Sequence, residues 1–250
     1  SLHHFWAKKA LSFGKHVLVE KSFTHDFDIA CELVELATQK NLVVMENFMF
    51  LYHSQQTYVK GEIDSGLIGD VRCFRSSFGF PPLSRDNIRY KKELGGGSLL
   101  DAGAYPIRAS QMFLGGSLSV SAASLFVDPQ LDVDIFGGAF LTNNAGLFSE
   151  IAFGFDNFYQ CNYEIWGSLG KITVSRAFTA GSDFLPQVTI EHQGKERKAQ
   201  LPTDNQAKNM LREFSHAIKN QEKRIGLYGE IIGQAKIIHD VSVKAKRVTE

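Results

Sequence analysis

Two short apolar runs constrain this chain more than any other feature: His16-Val17-Leu18-Val19 and Leu42-Val43-Val44-Met45. Continuous apolar runs of this length suit strands buried on both faces, whereas a half-exposed strand alternates. Between them, Phe27, Ala30, Leu33, Val34 and Ala37 recur at helical spacing. Thr24 is the expected helix cap, with Asp26 and Asp28 in a first turn whose positive end favours carboxylates. Lys40-Asn41 supplies the stop. An earlier helix, roughly His4 to Phe13, ends at Gly14. The order helix, strand, helix, strand reads as a βαβ unit of a parallel sheet. Two strands alone leave exposed sheet edges and an uncovered face. Residues 1–47 therefore read as the C-terminal part of a doubly wound domain whose first portion lies upstream of Ser1.

After Asn47 the pattern changes. A helix is expected over Ser54 to Ser65, stopping at Gly66, and Val71 to Phe80 alternates until Pro81-Pro82 breaks it. Strands are expected at Leu118–Val127, Asp132–Leu141, Gly146–Phe155, Gln160–Trp166 and Lys171–Val174, extended by Gln187–His192 and Glu196–Leu201. Leu147, Ser149, Ile151, Phe153 and Phe155 share one face of the third of these. Gly167-Ser168-Leu169-Gly170 is turn chemistry between two strands. Helices at about Asn205–Lys219 and Gly229–Lys246 close the chain. Consecutive alternating strands with short connections imply a large, mainly antiparallel sheet with helices on one face. The fold class is thus α/β followed by α+β, with residues 48–250 as the second domain. Sixteen of the 20 phenylalanines lie beyond Asn47, and an open aromatic sheet face is an expected surface for self-association into a homo-oligomer.

Lys plus Arg and Asp plus Glu both number 27, which gives no electrostatic case for nucleic acid or an anionic membrane surface. No apolar run approaches the ~20 residues of a membrane helix. Cys31, Cys73 and Cys161 are far apart and odd in number, so neither a zinc site nor a disulfide framework is indicated. Three reduced thiols in a cytoplasmic protein is the expectation, and no metal site is expected.

In a parallel sheet, ligands bind outside the carboxyl ends of the strands. Both buried runs end there in an acidic residue with a polar neighbour, Glu20-Lys21 and Glu46-Asn47. By position alone, Lys21 is as well explained as a solvated surface residue. A second constellation is Glu93-Leu94-Gly95-Gly96-Gly97-Ser98-Leu99-Leu100-Asp101-Ala102-Gly103-Ala104-Tyr105-Pro106. Successive glycines let backbone approach another surface closely before a helix begins. Asp101 and Tyr105 stand four apart, on one expected helix face, with Arg108 a turn further on. Gly103 leaves room for something to pack against the helix. On its own the segment equally describes a glycine-rich helix start with a buried Asp–Arg pair.

Gly14 to Lys21, GKHVLVEK, resembles the G-K-H-V-x-x-E-K-P signature of the glucose–fructose oxidoreductase/inositol dehydrogenase family, and ELGGGSLLDAGAYPIRA resembles its second signature, G-G-G-x-L-x-D-x-G-x-[HY]. The resemblance covers essentially the whole chain. FGFPP, NIRY, YEIWGSLGKITVSRAFT and Asp204-Asn205-Gln206 are similar to sugar-nucleotide 3-ketoreductases of deoxysugar pathways. One departure is Ser22, which stands where the motif has proline and relaxes the turn after Lys21.

The resemblance implies an NAD- or NADP-dependent oxidoreductase that moves a hydride between nicotinamide and a carbon of a sugar or sugar nucleotide. It places residues 1–47 in a Rossmann, dinucleotide-binding domain, with the phosphate-binding G-x-G-x-x-G turn upstream. It implies Lys21 and Tyr105 as catalytic residues, Tyr105 donating the proton, and Asp101 in the sugar pocket. Glu20, Lys21, Asn47 and His3 would line the cofactor. Arg89, Tyr90 and Arg108 stand either at the sugar or diphosphate or in structural ion pairs. A tyrosine of ordinary pKa ~10 is a poor acid–base group at neutral pH, and the Lys21 charge is expected to draw it down towards the working range. The competing reading is a non-catalytic sugar-binding or assembly module of the same fold.

Overall fold

The computed structural model describes residues 2–115 and 117–249. Helix α1 (His3–Ser12), strand β1 (Val17–Glu20), helix α2 (Phe27–Gln39) and strand β2 (Val44–Asn47) follow the order read from the sequence. β1 and β2 pair in parallel, Val17 beside Val44 and Glu20 beside Asn47, so both strands end at one edge. Their side chains alternate between two cores. Val19 and Val44 meet Leu11 of α1 and Ala30 and Leu33 of α2. Val43 and Met45 face Met210 and Ala217 of α5 (Gln206–Lys219). Helix α6 (Gln221–Lys244) adds Tyr228 and Ile231 to the first core. Continuous apolar runs thus reflect cover on both faces.

Two element starts differ from the sequence expectation. Asp26 caps α2, its Oδ1 accepting from the Asp28 and Ile29 N–H groups at 2.8 and 3.2 Å. Thr24 sits too far upstream to reach them, and its hydroxyl donates to the Asp26 carbonyl at 2.6 Å. α6 begins two turns before Gly229, where Asn220 Oδ1 accepts from the Lys223 N–H at 3.0 Å. Buried Arg224 and Tyr228 anchor its first turns. Arg224 Nη1 donates to the carbonyl of Ile218 at 2.8 Å and its Nη2 to Asn41 Oδ1 at 2.7 Å, so this stretch is fixed by polar side chains where apolar periodicity is weak.

Beyond β2, a 3-10 turn (Met49–Tyr52) leads into α3 (Ser54–Asp64) and β3 (Val71–Gly79). A long segment then reaches a π-helical turn, Leu99–Gly103, continuous with α4 (Ala104–Leu114). Pro106 lies just past the junction of the π-helical turn with α4, and its missing N–H leaves a carbonyl of that turn free for another donor. There follow β4 (Ser119–Asp128), β5 (Val133–Thr142), β6 (Phe148–Gly154), β7 (Gln160–Gly167), β8 (Gly170–Val174), β9 (Gln187–His192), β10 (Lys195–Gln200) and, after α6, β11 (Lys246–Val248). These join β3 in one sheet of order β10-β9-β8-β7-β3-β6-β5-β4-β11, in which β3–β6 and β4–β11 pair in parallel and the other neighbours antiparallel.

One face of this sheet carries Phe74, Ile151, Phe153, Tyr163 and Ile165, all buried in a core shared with Ile107 of α4 and Leu99. Fully burying each phenylalanine contributes about 1.5–3 kcal/mol. Gly103 permits the approach: a Cβ there would lie 3.0 Å from the Phe153 ring. Among the described residues no helix covers the opposite face. Arg75 bridges Glu150 and Glu164 across it, and Phe126–Phe136 and Phe140–Phe148 stack at 4.8 and 5.2 Å. Among the described residues no helix is long and apolar enough to cross a membrane.

Candidate active site

The carboxyl end of β1 delivers Lys21 against the π-helical turn. Its Nζ donates to the Asp101 carbonyl at 3.0 Å and also pairs with the Asp101 carboxylate. The other carboxylate oxygen, Oδ2, accepts from Arg89 Nε at 2.6 Å. Asp101 therefore holds two cations from two segments. Burial pushes its carboxyl up, but Lys21 and Arg89 together outweigh burial and leave it below the usual aspartate range. The π-helical turn explains the geometry: a wider turn ahead of α4 alters the side-chain phase. Asp101 faces the strand end, while Arg108 turns elsewhere.

Tyr105 opens α4 among aromatic rings. Phe48, Phe50, Phe78 and Phe178 surround it, with centroids 5.1–5.8 Å away. Lys21 Nζ lies 5.3 Å from the Tyr105 ring centroid, so the ammonium and the phenol meet as the sequence implied. The expected pKa does not follow. Burial first, then the Asp101 and Glu20 carboxylates, raise the phenol's pKa well above its ordinary value. Burial outweighs the lowering expected from Lys21. The hydroxyl is held as the protonated acid.

A cleft of about 370 Å³ opens beside this cluster, lined by His3, Glu20, Lys21, Arg89, Asp101 and the backbone of Gly95–Gly97, among others. His3 donates from Nδ1 to the Ser22 carbonyl at 3.0 Å. The Ser22 hydroxyl donates to the Leu100 carbonyl at 2.6 Å. The turn after Lys21, whose Lys21–Ser22 peptide is cis, is thus pinned by hydrogen bonds where the motif has proline. Asn47 Nδ2 donates to Glu20 Oε1 at 2.6 Å, tying the two strand ends, and its buried Oδ1 has no partner among the described residues. Glu46 is buried, accepts from the Phe23 N–H at 2.7 Å, and burial raises its carboxyl to about 7.

Four expected site residues do not line the cleft: Tyr105 and Asn47 adjoin it through Lys21 and Glu20, whereas Arg108 and Tyr90 make other contacts. Arg108 is buried and pairs with Glu230 of α6, joining α4 to α6. Tyr90 is buried with its ring edge-on to Phe155, and its hydroxyl accepts from the Leu83 N–H at 3.1 Å. Both serve the fold, the structural alternative open at each. Arg89 alone of the three reaches the cluster.

The GFO/IDH/MocA C-terminal domain model matches residues 57–173. The dTDP-3,4-didehydro-2,6-dideoxy-alpha-D-glucose 3-reductase of Actinomadura kijaniata is 38% identical over 247 residues, 99% of this chain and 74% of that protein. The chain belongs to the Gfo/Idh/MocA family. The protein of the same description from Saccharopolyspora spinosa is 40% identical over 218 residues, 87% of this chain and 66% of its own length. Among solved structures, KijD10, a 3-ketoreductase from Actinomadura kijaniata in complex with NADP and TDP-benzene, matches with a TM-score of 0.95 at 38% identity, covering 100% of this chain and 77% of that one. Solved variants of KijD10 replace one tyrosine by phenylalanine and one lysine by alanine or glutamate. As a Gfo/Idh/MocA member, this protein is an NAD(P)-dependent oxidoreductase.

Proposed function

We propose that this Gfo/Idh/MocA protein reduces the keto group of a dTDP-linked deoxysugar with NADPH, using Tyr105 as proton donor and Lys21 to hold the carbonyl oxygen. The observation that carries the assignment is the meeting of Lys21 and Tyr105, the ammonium 5.3 Å from the centroid of the phenol ring, at the Asp101-held strand end. The altered lysine and tyrosine of the KijD10 variants are separated in sequence by the same number of residues as Lys21 and Tyr105, which supports the pair as the functional one.

The residues at the strand ends fit a nicotinamide nucleotide. His3, Glu20, Lys21 and Asn47 gather at the carboxyl edge of parallel strands, where such ligands bind, and Asn47 Oδ1 is a buried acceptor awaiting a donor. A bound nicotinamide supplies the hydride. Tyr105, protonated by its environment, transfers its proton to the substrate oxygen, which otherwise would become an alkoxide. Lys21 stabilises negative charge there, and electrostatic donors of this kind are worth roughly 2.7–4 kcal/mol in the transition state. Asp101 keeps the lysine at the strand end, and Arg89 neutralises Asp101 and offers its remaining N–H groups to the cleft. The phenylalanines packed around the half-buried Tyr105 ring limit the access of water to the phenol.

Residues 1–47 form the C-terminal part of the dinucleotide-binding domain in this reading, residues 48–250 bind the sugar, and the helix-free sheet face joins two copies of a cytoplasmic enzyme. The test is NADPH consumption with a dTDP-linked keto-deoxysugar. Lys21→Ala is expected to lower kcat/KM by roughly 10²–10³. A wild-type protein inert to keto-sugar nucleotides, or a fully active Lys21→Ala enzyme, contradicts the proposal.

A further inference from the structure

We infer that Asp134, on β5, is a positioning residue for the Lys21–Asp101–Arg89 cluster, acting as a clamp on the glycine loop that carries two of its members. The inference rests on the function proposed above. Asp134 comes from the large sheet, far in sequence from both motifs. Its Oδ2 accepts from the Ser98 hydroxyl at 2.7 Å and from the Leu99 N–H at 2.6 Å. A single carboxylate oxygen thereby caps the π-helical turn whose next residues present Asp101. Its Oδ1 lies against Gly97, where an added Cβ would approach it to 2.3 Å and where φ is +118°. Glycine is required at that position both for space and for backbone conformation.

The same loop holds the second member. The Gly97 N–H donates to the Arg89 carbonyl at 2.9 Å, and the Gly96 N–H donates to the Lys91 carbonyl at 3.0 Å. A Cβ on Gly96 would lie 2.6 Å from the Arg89 carbonyl oxygen. Asp134 therefore braces Gly97–Leu99, Gly97 braces the backbone of Arg89, and Leu99 begins the turn that ends in the Asp101 carboxylate. Burial raises the Asp134 carboxyl, opposed by the Ser98 and Leu99 hydrogen bonds. Such a partly desolvated carboxylate, bound to two donors of one loop, fixes that loop more tightly than solvent-facing contacts would. It does not line the cleft, which distinguishes it from a catalytic residue. What it supplies is the placement of the anion that holds Lys21.

The experiment compares wild type, Asp134→Ala, Asp134→Asn and Ser98→Ala, each alone and combined with Asp101→Asn. Turnover and the rate at which acetic anhydride acylates Lys21 are measured. Asp134→Ala is expected to lower kcat by about 10- to 100-fold, since small misplacements of catalytic groups cost on that scale, and to raise Lys21 acylation several-fold by loosening its ion pair. Ser98→Ala, which keeps the Leu99 contact, should fall between wild type and Asp134→Ala. In the Asp101→Asn background the Asp134 substitution should add little, because the group it positions is already gone. Equal losses in both backgrounds, or Lys21 reactivity unchanged in the Asp134 variants, overturn the inference. Should Asp134→Ala fail to fold, Asp134→Asn and Ser98→Ala give the same two comparisons. The acylation readout needs no turnover, so an inactive wild type would refute the proposed function while still deciding the role of Asp134.

Discussion

Residue-level roles here follow from what each charge is tied to. Lys21 is not a free ammonium beside a phenol, because Asp101 shares it with Arg89. Tyr105 stays an acid chiefly because burial raises its pKa, and the site reads as one poised for reduction of a carbonyl. Glu46 shows the opposite case. Its raised pKa, about 7 against 4.5, means that its contribution to stability is complete below about pH 4.5 and is lost as pH rises through 7. Above that, keeping it ionised costs on the order of 3 kcal/mol. Glu46→Gln retains an acceptor for the Phe23 N–H, so thermal unfolding at pH 8 should show a more stable variant, and near pH 4 the two proteins should converge. A variant less stable at pH 8 would contradict the burial argument. For Arg108, replacement by Met should lower stability by about 1–3 kcal/mol through loss of its pair with Glu230, while KM for substrate stays unchanged. A raised KM would return Arg108 to the substrate site.

Elements were legible where periodicity and burial agree. β1, β2 and the strands of the large sheet announce themselves because each buries a continuous or alternating apolar set. The start of α6 was not legible, since Gly226 and Gly229 interrupt it and its anchors, Arg224 and Tyr228, are long-range polar contacts. β11 is equally silent: its three residues are exposed, and only pairing with β4 defines it. At the site, the motifs singled out Lys21, Asp101 and Tyr105. They could not separate Arg89 from Arg108: a π-helical turn moves Arg108 off the face of Asp101, and Arg89 reaches Asp101 from a separate segment. Asp134 carries no local signal, since its partners lie some 35 residues away. The close packing of that turn is itself testable. Gly103→Val should press on the Phe153 ring and cost about 1–3 kcal/mol, read as a melting midpoint lower by roughly 2–4 °C per kcal/mol. An unchanged midpoint would show that the approach of the turn to β6 has slack.

At the scale of the molecule, two sheets do different work. The parallel pair offers its strand ends, and the large sheet uses one face to seat α4 and the π-helical turn against them. Its other face exposes stacked phenylalanines around a floor of Ala122, Gly138 and Ala152. If that face joins two copies, Ala152→Arg should shift sedimentation from dimer to monomer without touching the cleft; a monomeric wild type would dismiss the interface. The central claim, however, is that a phenol borne by the large-sheet half delivers the proton at a strand end of the parallel half. Steady-state turnover of Tyr105→Phe measures it most directly. The account predicts a fall in kcat of roughly 10²–10⁴ with binding of NADPH and sugar nucleotide retained; a Tyr105→Phe enzyme with wild-type kcat would contradict it.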